Sequence, residues 1–317
     1  MPRLDAKQYP QAKLLEDIKA GTSFVRVVPD NIGEITFFDT TEPDAEALPD
    51  EVYRRRKLIT IICTIIALTA IWVLLYSHYG WGIFLSIVAI FIGYLVHSSQ
   101  EFSGVDSFIG TEGYAEYTFS NSRENIVSKS GHRFDEGFGI IHKEVRKYKN
   151  WSYQNTEYSF EFIGIPDKEG LATTVDQIND TYDCEEGGPN TGDATYDYWY
   201  RIEKQLCMNY LQAAGRMLES GQMVPIFMAF KEKGDKWRVG SIISLGPGVI
   251  QYGKKIYNQE DLKKVYINKG ILYLEDANYS SKLFGLKKTG EQITIPLEMI
   301  VNRDAFLTLL SNLYVIN

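Results

Sequence analysis

Two apolar runs constrain this chain more than anything else in it. Leu58–Tyr76 and Trp81–Val96 contain no formally charged residue, and only Ser77, His78, Tyr79 and Gly80 separate them. A helix rises 1.5 Å per residue, so about 20 apolar residues cross the hydrocarbon of a bilayer, and a helix that is apolar all round has no face for water. Both runs therefore predict transmembrane helices. The first begins too late for a secretory signal and has a second run behind it. So short a turn cannot hold a domain, which puts residues 1–56 and 98–317 on one side of the membrane. Arg54, Arg55, Arg56 and Lys57 directly precede the first run, and the turn carries no Lys or Arg. Basic flanks stay cytoplasmic, so the expected protein is integral to an inner or plasma membrane, with two spans and both termini in the cytoplasm. No Lys or Arg follows the second run before Arg123, so the orientation rests on that one cluster.

The rest of the chain must fold outside the bilayer. Its 317 residues, 44% of them apolar, suffice for two modest domains beside the helices. Cys63 lies within the first run, which leaves Cys184 and Cys207 as no disulfide framework and no CxxC metal site.

Residues 1–56 read as a cytoplasmic segment: a short helix over Gln11–Lys19, then FVRVVPDNIGEITFFD as two strands about Pro29-Asp30-Asn31, then an acidic linker. Beyond the hairpin, residues 57–97, the pattern changes to period two. In YAEYTF the residues Ala115, Tyr117 and Phe119 alternate with polar neighbours, as do Tyr158, Phe160 and Phe162 in EYSFEF. The acidic stretch from Glu169 to Asp197 holds EEGGPNTGD and reads as a loop. Trp199, Ile202, Leu206, Tyr210, Ala213 and Met217 recur at helical spacing, with Asp197 as N-cap and Gly221 past the end; that aromatic stripe reads as core. VPIFMAFK and KWRVGSIISL follow as strands, then GPGVIQY, then a hairpin about Asn268, Lys269 and Gly270. KLFGLKK and EQITIPL read as a pair across Thr289-Gly290. Asn302 is placed to cap a last helix with Phe306, Leu310 and Leu313 on one face.

Strands closed by one amphipathic helix thus occur twice. GTEGYAEYTF followed by FDEGFGIIHKEVRKY is similar to GPGVIQYGKKIYNQEDLKKVYINKGILYLED, and with NRDAFLTLLSNLYV as a closing helix this order resembles the pleckstrin-homology-like (PH-like) domains attached to membrane helices in bacteria. The resemblance implies an α+β fold: a helical hairpin followed by two PH-like domains, residues 98–222 with the acidic insertion and residues 223–317. It also draws attention to FKEKGDKWR. Phosphoinositide-binding members carry basic residues in such a loop, and Lys231, Lys236 and Arg238 are similarly spaced, with Lys233 between them. Residues 224–317 hold more basic than acidic side chains, although the whole chain carries a net charge of −8.

Nothing in the sequence calls for catalysis. There is no Walker loop, dinucleotide-binding glycine fingerprint, GxSxG or HExxH. His78, His97, His132 and His142 are scattered and read as interfacial or surface residues, without the convergence a metal site needs. The expectation is a non-enzymatic scaffold, sensor or accessory subunit of a membrane complex, acting through protein contacts at the bilayer, without cofactor, metal, nucleic acid or small-molecule substrate. The competing reading is anionic-lipid headgroup binding by Lys231, Lys233, Lys236 and Arg238.

Overall fold

The computed structural model describes residues 11–21, 25, 27–41, 50–74, 78–98, 103–120, 122–185, 192–232, 234–282 and 287–314. They form an α+β structure of mostly antiparallel sheets with two long apolar helices, divided into two compact units, residues 1–132 and 133–317.

In the first unit α1 (Gln11–Lys19) precedes β1 (Ile35–Thr40), and the apolar runs form α2 (Asp50–Leu74) and α3 (Tyr79–Ser98). Three strands follow: β2 (Ser103–Gly110), β3 (Gly113–Ser120) and β4 (Ser122–Arg133). They make one sheet in the order β1-β2-β3-β4. The strand before the helical hairpin is thus paired with the strand after it, Phe38 opposite Phe108. Those two rings lie 5.0 Å apart and pack with Leu14, Ile18, Ile32 and Tyr117 in a small core. Among the described residues only the second of the two strands expected around Pro29 forms. Residues 27–29 are irregular, and Ile32 lends its carbonyl to Glu112 N in place of a ladder. Buried Arg123 of β4 pairs with Asp106 of β2, donates to Thr40 Oγ1 of β1 and lies over the Phe119 ring, so one guanidinium ties the four strands together.

Helices α2 and α3 each hold a stretch long and apolar enough to cross a membrane, Arg54–Leu74 and Tyr79–Val96, and almost none of either is buried in protein. Their backbones approach closely where a Cβ on Gly93 would lie 2.5 Å from Thr64 Oγ1.

The second unit is built on a curled seven-stranded sheet. Its strands are β5 (Gly137–Lys149), β6 (Ser152–Gly164), β7 (Leu171–Tyr182), β8 (Val224–Lys231), β9 (Lys236–Gly246), β10 (Val249–Tyr252) and β11 (Lys255–Asn258). The order is β11-β10-β9-β7-β6-β5, with β8 on the other edge of β9. Strand β9 is shared: Lys236–Arg238 pair with β7, while Ile243–Gly246 pair with β10. The connection into β8, where a domain boundary is expected at 222/223, thus joins strands of one sheet on either side of it. Strand β7 also lies inside the stretch expected to be a loop. Asp180 is exposed and Asp176 half-buried on it, Ala172 and Tyr182 are buried, and pairing with β6 and β9 satisfies its backbone.

Helix α4 (Ala194–Glu219) packs Trp199, Ile202 and Leu206 inward, as its spacing predicts, and Tyr196 with them; Ala213, expected on that face, is exposed and Ala214 is buried instead. Its cap is Asp193, whose carboxylate accepts from Tyr196 N at 2.8 Å; Asp197 sits in the first turn and pairs with Arg201 instead. Strands β12 (Leu262–Asn268), β13 (Ile271–Asp276) and β16 (Gln292–Pro296) form a second sheet, and β14 (Ser280–Lys282) pairs with β15 (Lys287–Thr289). The segments flanking Gly290 thus pair elsewhere rather than with each other. Ile293 and Ile295 are drawn to β13, where they join Leu272 and Leu274 in the core. Helix α5 (Arg303–Leu313) closes that core with Phe306, Leu309 and Leu310.

Candidate functional site

Strand β5 carries the chemistry of the second unit. His142, expected at the surface, is buried on it, because the neighbouring strand and α4 supply a roof of aromatic rings. Its imidazole stacks on Phe160 at 4.0 Å, and Tyr196 meets it edge-on. Nδ1 lies 2.7 Å from Glu203 Oε2 on α4. Nε2 faces Glu144 Oε1 at 2.9 Å as a close charge contact without aligned hydrogen-bond geometry, and Glu203 Oε1 has no hydrogen-bond partner among the described residues. Glu144 is two residues along β5 and so on the same face. It accepts from the hydroxyls of Tyr196 at 2.9 Å and Tyr182 at 3.3 Å.

Arg303, the first residue of α5, completes the group. One guanidinium nitrogen lies 3.1 Å from His142 Nδ1, and another donates to the His142 carbonyl at 3.4 Å. Nδ1 is thus contested: the Glu203 carboxylate favours a proton there, and Arg303 favours the lone pair. Burial alone would lower the His142 pKa, but the contacts with Glu144 and Glu203 outweigh it and hold the group above its ordinary 6.5. Burial acts on Glu144 in the opposite sense and is again overcome, here by His142 and Tyr196, so that carboxyl is held down to about 2. Burial, then the charge of Glu203, raises Asp304 beside them. Three carboxylates, one guanidinium and one imidazole therefore share a proton balance at the junction of β5, α4 and α5.

Glu144 and Arg303 also face a groove of about 530 Å³, whose other walls include Lys143, Lys269, Pro296 and Leu297. It runs along the outer edge of β5. At Ile140 that edge is filled by Asn302, whose N–H donates to the Ile140 carbonyl and whose side-chain oxygen accepts from Ile140 N. This use of the side chain explains why Asn302, although at the N-cap of α5, makes no side-chain cap. From Lys143 to Lys149 the outer edge makes no further backbone hydrogen bond among the described residues.

The residues singled out from the sequence lie elsewhere. Arg54, Arg55, Arg56 and Lys57 lie near the start of α2, at the N-terminal end of its stretch Arg54–Leu74. Lys231 reaches back to buried Glu161 at 2.9 Å and covers the Trp237 ring; the Trp237 N–H donates to the same carboxylate. Arg238 pairs with Glu232 at 2.5 Å, and Lys236 is exposed at the start of β9. Lys233 lies outside the described residues. The His142 group was not visible in the sequence because Glu203 and Arg303 stand 61 and 161 positions away. The one local signal is His142 and Glu144 at strand spacing directly after Ile140-Ile141.

Among the described residues no group of three or more His, Cys, Asp or Glu side chains is arranged to hold a metal ion. Cys207 is buried and its thiol is pushed up to about 12, mainly by desolvation, so it is no ready nucleophile. Comparisons with protein-family models, with curated proteins and with solved structures gave no match.

Proposed function

We propose that this chain is a membrane-anchored scaffold, sensor or accessory subunit, whose partner is a protein segment that adds as a strand to the outer edge of β5. The observation that carries the reading is the open edge from Lys143 to Lys149 beside a groove walled by Lys143, Glu144, Lys269 and Arg303. An unpaired edge offers main-chain hydrogen bonds, and a flanking groove of mixed charge selects among side chains. The anchor in this reading is the α2–α3 hairpin, whose apolar surface is left almost entirely uncovered by the described residues. The pairing of β1 with β2 supports placing both flanks of the hairpin on one side, and Arg54–Lys57 support the cytoplasm as that side. Tethering raises the local concentration of a membrane partner without further contacts. Within this proposal residues 223–317, whose strands end in α5, make a PH-like domain.

The test is photo-crosslinking in native membranes. A photoreactive residue replacing Glu298, which is half-exposed and paired with Lys143 across the edge, should give a discrete protein adduct. The same residue replacing exposed Lys254 should give none. Absence of any adduct from Glu298 would remove the proposal.

A further inference from the structure

The β5–β6 hairpin turns through Asn150 and Trp151, between paired Lys149 and Ser152. Their φ values are 51° and 67°, two successive positive angles of the kind found in type I′ turns, where Asn followed by Gly is favoured. Asn150 suits its place. Trp151 stands where glycine would be easiest, and a bulky side chain in the left-handed region costs free energy. Packing recovers none of that cost, since Trp151 is 99% exposed. A residue that is costly in conformation and idle in packing points to a role outside the fold.

Its surroundings indicate what that role is. Tyr148, 52% exposed, stands next to the turn with its ring against Tyr153. Arg146, Lys147 and Lys149 are exposed around it. Lys147 shares a surface ion pair with Glu157, a weak partner for a charge half in water, while Arg146 and Lys149 meet no carboxylate among the described residues. A tip with one exposed indole and an excess of cations, Arg146, Lys147 and Lys149 against Glu157 and Glu185, does not match a protein pocket, which would have to bury those cations at a desolvation cost. It matches a bilayer interface, where indoles settle at the headgroups and cations meet lipid phosphate.

We infer that the tip of the β5–β6 hairpin docks on an anionic membrane surface, with Trp151 in the headgroup region and Arg146, Lys147 and Lys149 on lipid phosphates. A single indole with a few cations binds weakly from solution. The inference therefore rests on the membrane anchor proposed above, which keeps the chain at the bilayer.

The experiment uses the full chain reconstituted into brominated phosphatidylcholine vesicles with and without phosphatidylglycerol. Five tryptophans are present, and subtracting the emission of Trp151→Phe, a change to a ring that packs on nothing, isolates Trp151. In anionic vesicles its emission should be blue-shifted and quenched by bromine; in neutral vesicles it should remain water-like. Raised salt, or the double change Lys147→Glu and Lys149→Glu, should abolish the quenching. Trp72 and Trp81 on the helical hairpin report insertion separately. If they are quenched while Trp151 stays water-like in anionic vesicles, the docking inference is overturned and the anchor stands. If they are unquenched, the anchor reading fails, and a water-like Trp151 then overturns the docking inference as well. A Trp151 that is water-like in vesicles but shielded in native membranes would assign the tip to a protein and equally overturn the lipid inference.

Discussion

At the scale of single residues, two side chains set opposite limits on stability. His142 has a folded pKa above 6.5, so its contribution is fully present below that value and is lost as pH rises through the raised one. Glu144 is held at about 2 against 4.5, so its contribution is present above 4.5 and is lost as pH falls toward 2. Stability from this pair should therefore be greatest between about 4.5 and 6.5 and decline on the alkaline side. Urea unfolding across pH checks it: the alkaline decline should flatten in His142→Gln, and an unchanged slope would mean the imidazole is not charged in the fold. Trp151 makes the contrary case, a residue the fold would be better without. Trp151→Gly should raise stability by about 1 kcal/mol, because glycine enters the left-handed region without the steric cost. A lowered unfolding midpoint would show that the indole packs after all.

At the scale of elements, α5 has the plainest role. Leu310 is completely buried against the β8–β9 and β12–β13–β16 strands, so Leu310→Ala should cost ~2–5 kcal/mol, read from the denaturation midpoint. A loss under about 0.5 kcal/mol, as for a surface change, would mean the helix does not close the core. Much at this scale could be read from the chain. Alternation gave Tyr158, Phe160 and Phe162 their inward face, and three-four spacing gave Trp199, Ile202 and Leu206 theirs, because side-chain period and burial are local properties. Pairing partners are not local. Thr289-Gly290 carries a convincing turn signal, yet β16 goes to β13 because Ile293 and Ile295 gain a core there. Strand β7 was hidden by its acidic residues, although Thr173, Thr174, Val175 and Ile178 between them are strand formers. Asp193 took the cap from Asp197 by standing one turn earlier. The His142 group required three elements to be in place before any spacing in it meant anything.

At the scale of the whole molecule, the proposed topology is open to direct measurement. Reporters fused at residue 1 and at residue 317 should both read as cytoplasmic, and an exported reading at residue 317 would overturn the orientation drawn from Arg54–Lys57. The pairing of β1 with β2 makes a split result, one end inside and one outside, incompatible with an intact first sheet if the hairpin spans the bilayer.

That same pairing also imposes a timetable. Strand β1 leaves the ribosome well before β2, and everything that separates them, both apolar helices included, must be synthesised first. At roughly 5–20 residues per second the wait lasts several seconds, during which Phe38 has no Phe108 to cover it. The helical hairpin is therefore complete before the first sheet can begin. In nascent chains halted before β2, the β1 segment should be open to protease, and it should become resistant once Gly110 has emerged.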